Sequence, residues 1–197
     1  MTRTIHAIAA GLLALALPAA AQHGPGRAPA SGPAAEARQF DFLVGDWTLE
    51  VKPKVGSLAA MIHGAPRLVG SWSARRALDG HGIEDTLRIV DASGNPSTLN
   101  RALRIWSPGE RRWLVSSVDV YRARVVAATA QWRDGEMHVA SSGTDAEGKP
   151  FQTRTRFHAI TKDAFRMTQD RSHDAGASWD EAVLVIEATR AAPAPAG

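Results

Sequence analysis

Hydrophobic and polar residues alternate along most of the chain between residues 46 and 190. In FQTRTRFHAI, residues 151–160, the aromatic and threonine side chains share one face, whereas Gln, Arg and His side chains share the other. The segments 135–142 and 163–171 repeat this period of two. Because successive side chains of a strand point in opposite directions, the pattern predicts strands with one buried and one solvated face.

Turn sequences rich in Gly, Pro, Asn and Asp separate these segments, for example LDGHG, DASGNP, RDGE and HDAGAS. Such residues supply the backbone angles that tight turns require. Outside the first 21 residues no segment has a convincing helical period. The pattern predicts nine or ten strands, at 46–53, 67–78, 82–91, 99–107, 111–120, 122–133, 135–142, 150–160, 163–171 and 179–190.

The short connections predict an all-β protein in which each strand pairs antiparallel with the next, an up-and-down meander. An open meander leaves two exposed edges, and closure into a barrel removes them. The alternative is a two-sheet sandwich, which uses long crossover connections. Only one long irregular connection, PKVGSLAAMIHGAP, interrupts the pattern, between the first two strands. We therefore expect a closed barrel of about eight to ten strands.

The two ends of the chain differ in composition from this central part. Residues 1–21 have a basic start, the apolar run AIAAGLLALAL and the small residues PAAA, the pattern of a signal peptide cleaved before Gln22. This run is too short to span a bilayer, which takes about 20 residues. Pro, Ala and Gly dominate residues 22–38 and 191–197, which predicts a disordered linker and tail around a domain at 39–190. We expect a periplasmic or secreted protein without stable membrane insertion.

Charge and cysteine content exclude several functions. The formal net charge is +3, from 23 basic and 20 acidic residues, and no basic cluster exceeds a pair. Nucleic-acid binding needs a clustered basic surface, so it is not expected. The absence of cysteine excludes disulfides, thiol catalysis and a lipid anchor on cysteine. No His residues of the domain have a metal-binding spacing, and we expect neither a metal nor a cofactor.

The start of the domain resembles a known superfamily. GDW, at the beginning of the first strand, resembles the G-x-W signature of the calycins, or lipocalin-like barrels, which carry a basic residue near the end of the last strand. The longer stretch FDFLVGDW resembles the F-D-F-x-x-G-x-W opening of a bacterial secreted family of unknown function with a lipocalin-like fold. The resemblance implies a structural signature of Phe40, Phe42, Gly45, Trp47 and Arg190, with Arg190 packed over Trp47.

Three later blocks are similar to the same family in the same order: ALDGHGIEDTLRI, ALRIWSPGERRWLVSSVD and DRSHDAGASWDE. Calycins in general hold small apolar or amphipathic ligands inside the barrel, so the resemblance implies a small-molecule partner. A related branch, nitrobindin, binds haem through a His on a late strand. The last predicted strand here, 179–190, contains no His, so the resemblance does not extend to haem.

Six tryptophans lie on six different predicted strands. Large aromatic residues either fill a barrel core or line a ligand site. We expect Trp47 and Trp179 to belong to the core or to a plug at one end. The candidate ligand-binding residues are Trp72, Trp106 and Trp132, together with Arg76 and Arg104, which share strand faces with the first two. A lumen arginine favours an anionic headgroup.

The leading hypothesis is an exported protein that binds a small hydrophobic or amphipathic molecule in the barrel lumen. No catalytic residues are assigned, because GSWSA lacks the context of a serine nucleophile. One alternative is a lumen isomerase or hydrolase in which a carboxylate, such as Glu84 or Asp119, faces an Arg or His. Another is a structural or partner-binding module of the cell envelope. The oligomeric state and the ligand stay open.

Overall fold

Ten antiparallel strands close into a barrel in the computed structural model, which describes residues 32–56, 66–145 and 147–192. Each strand pairs with its neighbours in sequence, and the last strand pairs with the first. The predicted closed meander is therefore confirmed, and a sandwich is excluded. The strands are β1 (Gly45–Pro53), β2 (Leu68–Ala77), β3 (Gly82–Asp91), β4 (Pro96–Ser107), β5 (Arg112–Asp119), β6 (Arg124–Arg133), β7 (Glu136–Thr144), β8 (Pro150–His158), β9 (Ala164–Ser172) and β10 (Asp180–Arg190).

The period of two in the sequence becomes the inside and outside of this barrel. In β1, Trp47, Leu49 and Val51 are almost fully buried, and the residues between them are exposed. The register places Trp47 beside Trp72 of β2 on one side and beside Arg190 of β10 on the other. The inward-facing side chains of successive strands therefore form one continuous core.

One end of the barrel is closed by residues 40–43, here called the plug. Asp41–Leu43 form a short 3₁₀ helix, and the side chains of Phe40 and Leu43 are completely buried. The indole Nε1 of Trp47 donates a hydrogen bond of 2.8 Å to the carbonyl oxygen of Leu43. The ring of Phe40 meets that of Trp113 edge-on, with centroids 4.9 Å apart. The plug thus binds the start of β1 to the inner wall.

A second 3₁₀ helix, Ala35–Arg38, lies inside the stretch that its composition assigns to the linker. Its Ala37 is only 2% exposed, so even an alanine-rich segment contributes buried surface there. The third 3₁₀ helix is Leu78–Gly80, between β2 and β3. Among the described residues, no helix has the length and apolar character needed to cross a bilayer. The predicted signal peptide, linker residues 22–31 and the tail from residue 193 lie outside the described residues.

Candidate functional site

A cavity of about 290 Å³ occupies the barrel lumen. It exists because the inward-facing side chains become smaller with distance from the plug. With increasing distance from the plug, the inward-facing residues of β5 are Trp113, Val115 and Ser117. In the same direction, those of β8 are Phe157, Thr155 and Thr153. Alanines on β4 and β6 leave further space. The lining combines aliphatic side chains with a polar set, Thr98, Asn100, Ser117, Ser141, Thr153, Thr155 and Gln169.

A buried ion pair lies in the wall of the cavity. Arg104 Nε donates to Asp85 Oδ2 at 2.7 Å, and Arg104 Nη2 donates to Asp85 Oδ1 at 3.2 Å. The indole Nε1 of Trp72 donates to the same Oδ1 at 2.7 Å. The side chain of Asp85 is 3% exposed and that of Arg104 is 7% exposed. The guanidinium of Arg104 also lies 4.9 Å from the centre of the Phe40 ring. Both carboxylate oxygens are therefore occupied, as a desolvated charge requires.

This pairing changes the electrostatic character expected of the lumen. Asp85 and Arg104 are the only charged residues among those that line the cavity within the described part of the chain, and their charges offset one another. Arg104 therefore offers no uncompensated positive charge to an anionic ligand. The charges of the residues that line the cavity therefore sum to zero.

Most of the lumen hydroxyl and amide groups bond to one another. Ser141 Oγ and Thr153 Oγ1 are 2.7 Å apart, and Gln169 Nε2 donates to Thr155 Oγ1 at 3.1 Å. Asn100 differs, because its buried Oδ1 has no hydrogen-bond partner among the described residues. A buried acceptor without a donor is uncommon and costs stability. Because this oxygen is not exposed, a bound molecule with an N–H or O–H group can satisfy it only when the Asn100 side chain turns towards the cavity.

The structure divides the five predicted ligand-binding residues into two groups. Trp72 and Arg104 line the cavity. The guanidinium of Arg76 pairs instead with Asp41 in the plug. Arg76 and Trp72 are on the same face of β2, but Arg76 lies nearer the plugged end, so its side chain reaches the plug and not the cavity.

Trp106 and Trp132 also lie near the plugged end rather than on the cavity. The Trp106 ring is partly buried and packs against Trp113, with centroids 6.1 Å apart. Trp132 is 36% exposed, and its ring centroid is 6.2 Å from that of Phe42. Both rings therefore extend the aromatic cluster around the plug.

Asp85 and Asn100 also line the lumen, although neither was predicted from the sequence as a ligand-binding residue. A signal for Asp85 was present, because Ile83, Asp85, Leu87 and Ile89 share one strand face and three of them are aliphatic. Asn100 shares its face with Ala102 and Arg104, in a segment whose two faces are equally mixed. Only the fold shows which of those faces points inward.

Neither carboxylate considered for catalysis lines the cavity. Glu84 is on the outer face of β3, where it pairs with Arg75. Asp119 Oδ2 accepts a hydrogen bond of 2.8 Å from Arg122 Nη1, in the turn after β5. The carboxylate in the lumen wall is Asp85, and its two oxygens are already bonded. The described residues also contain no group of three or more metal-ligating side chains.

Three residues of the structural signature, Gly45, Trp47 and Arg190, lie against one another. The guanidinium of Arg190 lies 4.2 Å from the centre of the Trp47 ring, and its Nη1 donates to the Val44 carbonyl at 3.2 Å. Gly45 has a φ of +121°, and a Cβ built there would lie 2.3 Å from Arg190 Nη1. Glycine is thus needed at the entry to β1 both for its backbone angle and for the space that Arg190 occupies.

Comparisons with known proteins concern the fold. No family model matches the sequence, and no curated protein matches it. Among solved structures, the chain is similar to the S-type phycobiliprotein lyase CPES from Guillardia theta, with 12% identity, a TM-score of 0.52 and coverage of 80% of this chain and 93% of that chain. It is also similar to EF1p2_mFAP2b bound to DFHBI, with 8% identity, a TM-score of 0.42 and coverage of 80% and 100%. The likeness to the lyase shows that the chain has a lipocalin-like barrel fold.

Proposed function

We propose that this protein is an exported binding protein that holds a small amphipathic, uncharged molecule in its barrel lumen. The observation that carries the proposal is the cavity of about 290 Å³ with the unpartnered Asn100 acceptor in its wall. Ligand sites are concave, mostly apolar and supplied with few polar groups that fix orientation. The cavity is at the small end of their usual range, about 300 to 1,000 Å³, which favours a compact ligand or one part of a larger ligand.

The charge distribution supports an uncharged ligand. A carboxylate placed in the cavity has to compete with Asp85 for Arg104, and an ammonium group has to compete with Arg104 for Asp85. Either exchange leaves one buried charge uncompensated, which is costly. A neutral amide, alcohol or aromatic amine meets no such penalty, and it supplies the donor that Asn100 lacks.

Binding is favoured over catalysis by the state of Asp85. A general base needs a free lone pair within reach of the proton that it accepts. Asp85 accepts three hydrogen bonds, two at Oδ1 from Trp72 and Arg104 and one at Oδ2 from Arg104, which fill three of its about four acceptor sites and hold the carboxylate in the wall. Export is supported by the signal-peptide pattern of residues 1–21 and is tested by the intact mass of the protein recovered from a periplasmic fraction, which should correspond to a chain starting at Gln22.

The binding proposal is tested with the neutral aromatic amine 1-aminoanthracene, whose emission rises in apolar surroundings, and with the fatty acid laurate. We expect the amine to bind and laurate to compete poorly. Asn100→Leu should weaken amine binding about tenfold, the value of roughly one hydrogen bond. Thr129→Val, a polar-to-apolar change outside the cavity lining, should leave the affinity unchanged. Saturable binding of neither probe, together with a native mass spectrum of unliganded protein from its periplasm, would contradict the proposal.

A further inference from the structure

The barrel wall separates at one position, between β6 and β7. A tight turn at 134–135 joins these two strands. Their pairing begins where Arg133 lies opposite Glu136 and ends where Ala128 lies opposite Ser141. Both strands continue beyond that last pair, β6 back to Arg124 and β7 on to Thr144. There β6 pairs only with β5, and β7 pairs only with β8. In the described part of the chain, no other neighbouring pair has two strands that both run on unpaired for three or more residues.

The gap between these strand ends is here called the slot, and an outer groove and the lumen cavity share residues beside it. This outer groove of about 950 Å³ is lined by outward-facing residues such as Val125, Gln152 and Trp179. The same groove also includes residues that line the lumen cavity, namely Val115, Val126, Ala128, Ser141 and Thr153. Three of these, Val126, Ala128 and Ser141, belong to the two strands that separate at the slot.

Arg124 bridges the slot. Its Nη1 donates a hydrogen bond of 2.5 Å to the carbonyl oxygen of Thr144, across the gap that no backbone hydrogen bond closes. Arg122, two residues earlier, pairs instead with Asp119 at the end of β5. A long, partly exposed side chain such as that of Arg124 exchanges conformations far faster than a strand pair opens. The bridge can therefore open without unfolding of the barrel.

The outer approach to the slot is apolar. Val125, beside the gap, is 72% exposed, and Val118, Val120 and Tyr121 of the adjoining hairpin are 41–45% exposed. Exposed aliphatic and aromatic residues that cluster beside an opening favour partly apolar molecules over ions. This surface matches the lumen, in which the two charges of the cavity lining offset one another.

We infer that small uncharged molecules enter the lumen sideways through the slot between β6 and β7, with Arg124 as the latch. Which molecule passes rests on the proposed function, whereas the passage itself can be tested without a ligand. The chain has no cysteine, so a single thiol at Ala128→Cys, in the lumen lining at the last paired position, reports access. The measurement is the rate of its alkylation by the neutral reagent N-ethylmaleimide at fixed pH.

Adding Arg124→Ala should raise the alkylation rate about tenfold, because it removes the bridge to Thr144. The matched control is Arg122→Ala, which removes an arginine of the same hairpin without touching the slot and should leave the rate unchanged. Leu68→Ala serves as a control for entry through the open end of the barrel, because Leu68 begins β2 at the end opposite the plug. It should also leave the alkylation rate unchanged. Equal urea midpoints of the variants show that the rates do not report global unfolding.

Two results would overturn the inference. In one, Arg124→Ala and Arg122→Ala react at the same rate. In the other, Leu68→Ala raises the rate and Arg124→Ala does not, which makes the barrel end the route. Failure of both 1-aminoanthracene and laurate to bind contradicts the proposed function but leaves these thiol rates measurable, so the two failures are distinguishable.

Discussion

Arg104 and Asp85 form a buried ion pair, so removing one of the two side chains leaves the other as an unpaired buried charge. Arg104→Met should lower the free energy of unfolding by about 3–5 kcal/mol, because it leaves Asp85 buried with Trp72 as its main donor. Adding Asp85→Asn removes the stranded charge and should recover part of that loss. Urea denaturation at pH 7 of the two single variants and the double variant measures the coupling. Strictly additive losses would show that the two side chains do not act as a pair.

Gly45 links the backbone of β1 to the Arg190–Trp47 contact. Gly45→Ala should destabilise the barrel by about 1–3 kcal/mol, because alanine is strained at positive φ and its methyl group displaces the guanidinium. The emission of Trp47 should change at the same time, since its ring loses the cation above it. Gly109→Ala is the control, because a Cβ at that turn has no atom within 4 Å. Unchanged stability and emission of Gly45→Ala would count against a structural role for this contact.

At the scale of elements, the connection between β9 and β10 is organised by one carboxylate. Asp174 accepts hydrogen bonds from the side chain and backbone of Ser178 and from the side chain of Ser172, which lower its pKa from 3.8 to about 2. A lowered carboxyl pKa means that the unfolded chain binds the proton first. The stabilisation from this turn is therefore complete above about pH 4 and is lost as the pH falls towards 2.

Asp174→Asn removes this titration. Its urea midpoint should fall less between pH 5 and pH 2.5 than that of the parent protein, and the two should differ most at pH 5. Some fall should persist, because Asp91 also has a lowered pKa, caused first by the side-chain hydrogen bond from Asn95. An identical pH dependence of variant and parent would mean that the turn does not contribute through Asp174.

The strands were predictable because they depend on local information. Alternation fixes each strand and turn residues fix its ends, so observed and predicted bounds differ by at most three residues, at the start of β4. The residues of the cavity lining were harder to predict from the sequence, because they depend on how far each position lies from the plug. Arg76 and Arg104 follow the same pattern in sequence, yet one pairs with Asp41 in the plug and the other lines the cavity. The slot could not be predicted from the sequence, because it depends on how far the pairing of β6 with β7 extends and not on the pattern of either strand.

At the scale of the whole molecule, the plug and the barrel form one packed body. The Phe40 ring contacts Trp113 at 4.9 Å between centroids and Phe157 at 6.3 Å, and it lies against the guanidinium of Arg104. A segment that precedes the first strand thus touches β4, β5 and β8 on the inside of the barrel. Strands far apart in sequence are tied together through this single ring, so the plug and the sheet should unfold in one cooperative step.

Phe40→Ala tests this. It should lower the free energy of unfolding by about 3–5 kcal/mol, as expected for a fully buried aromatic residue. Val125→Ala, at a position that is 72% exposed, should change it by less than about 0.5 kcal/mol. In both variants, the urea transitions followed by tryptophan emission and by far-ultraviolet circular dichroism should coincide. A plug that melts before the sheet would separate the two curves, with the emission change coming first, because Trp47 and Trp113 border the plug. That result would make the plug a lid over the ion pair rather than part of the core.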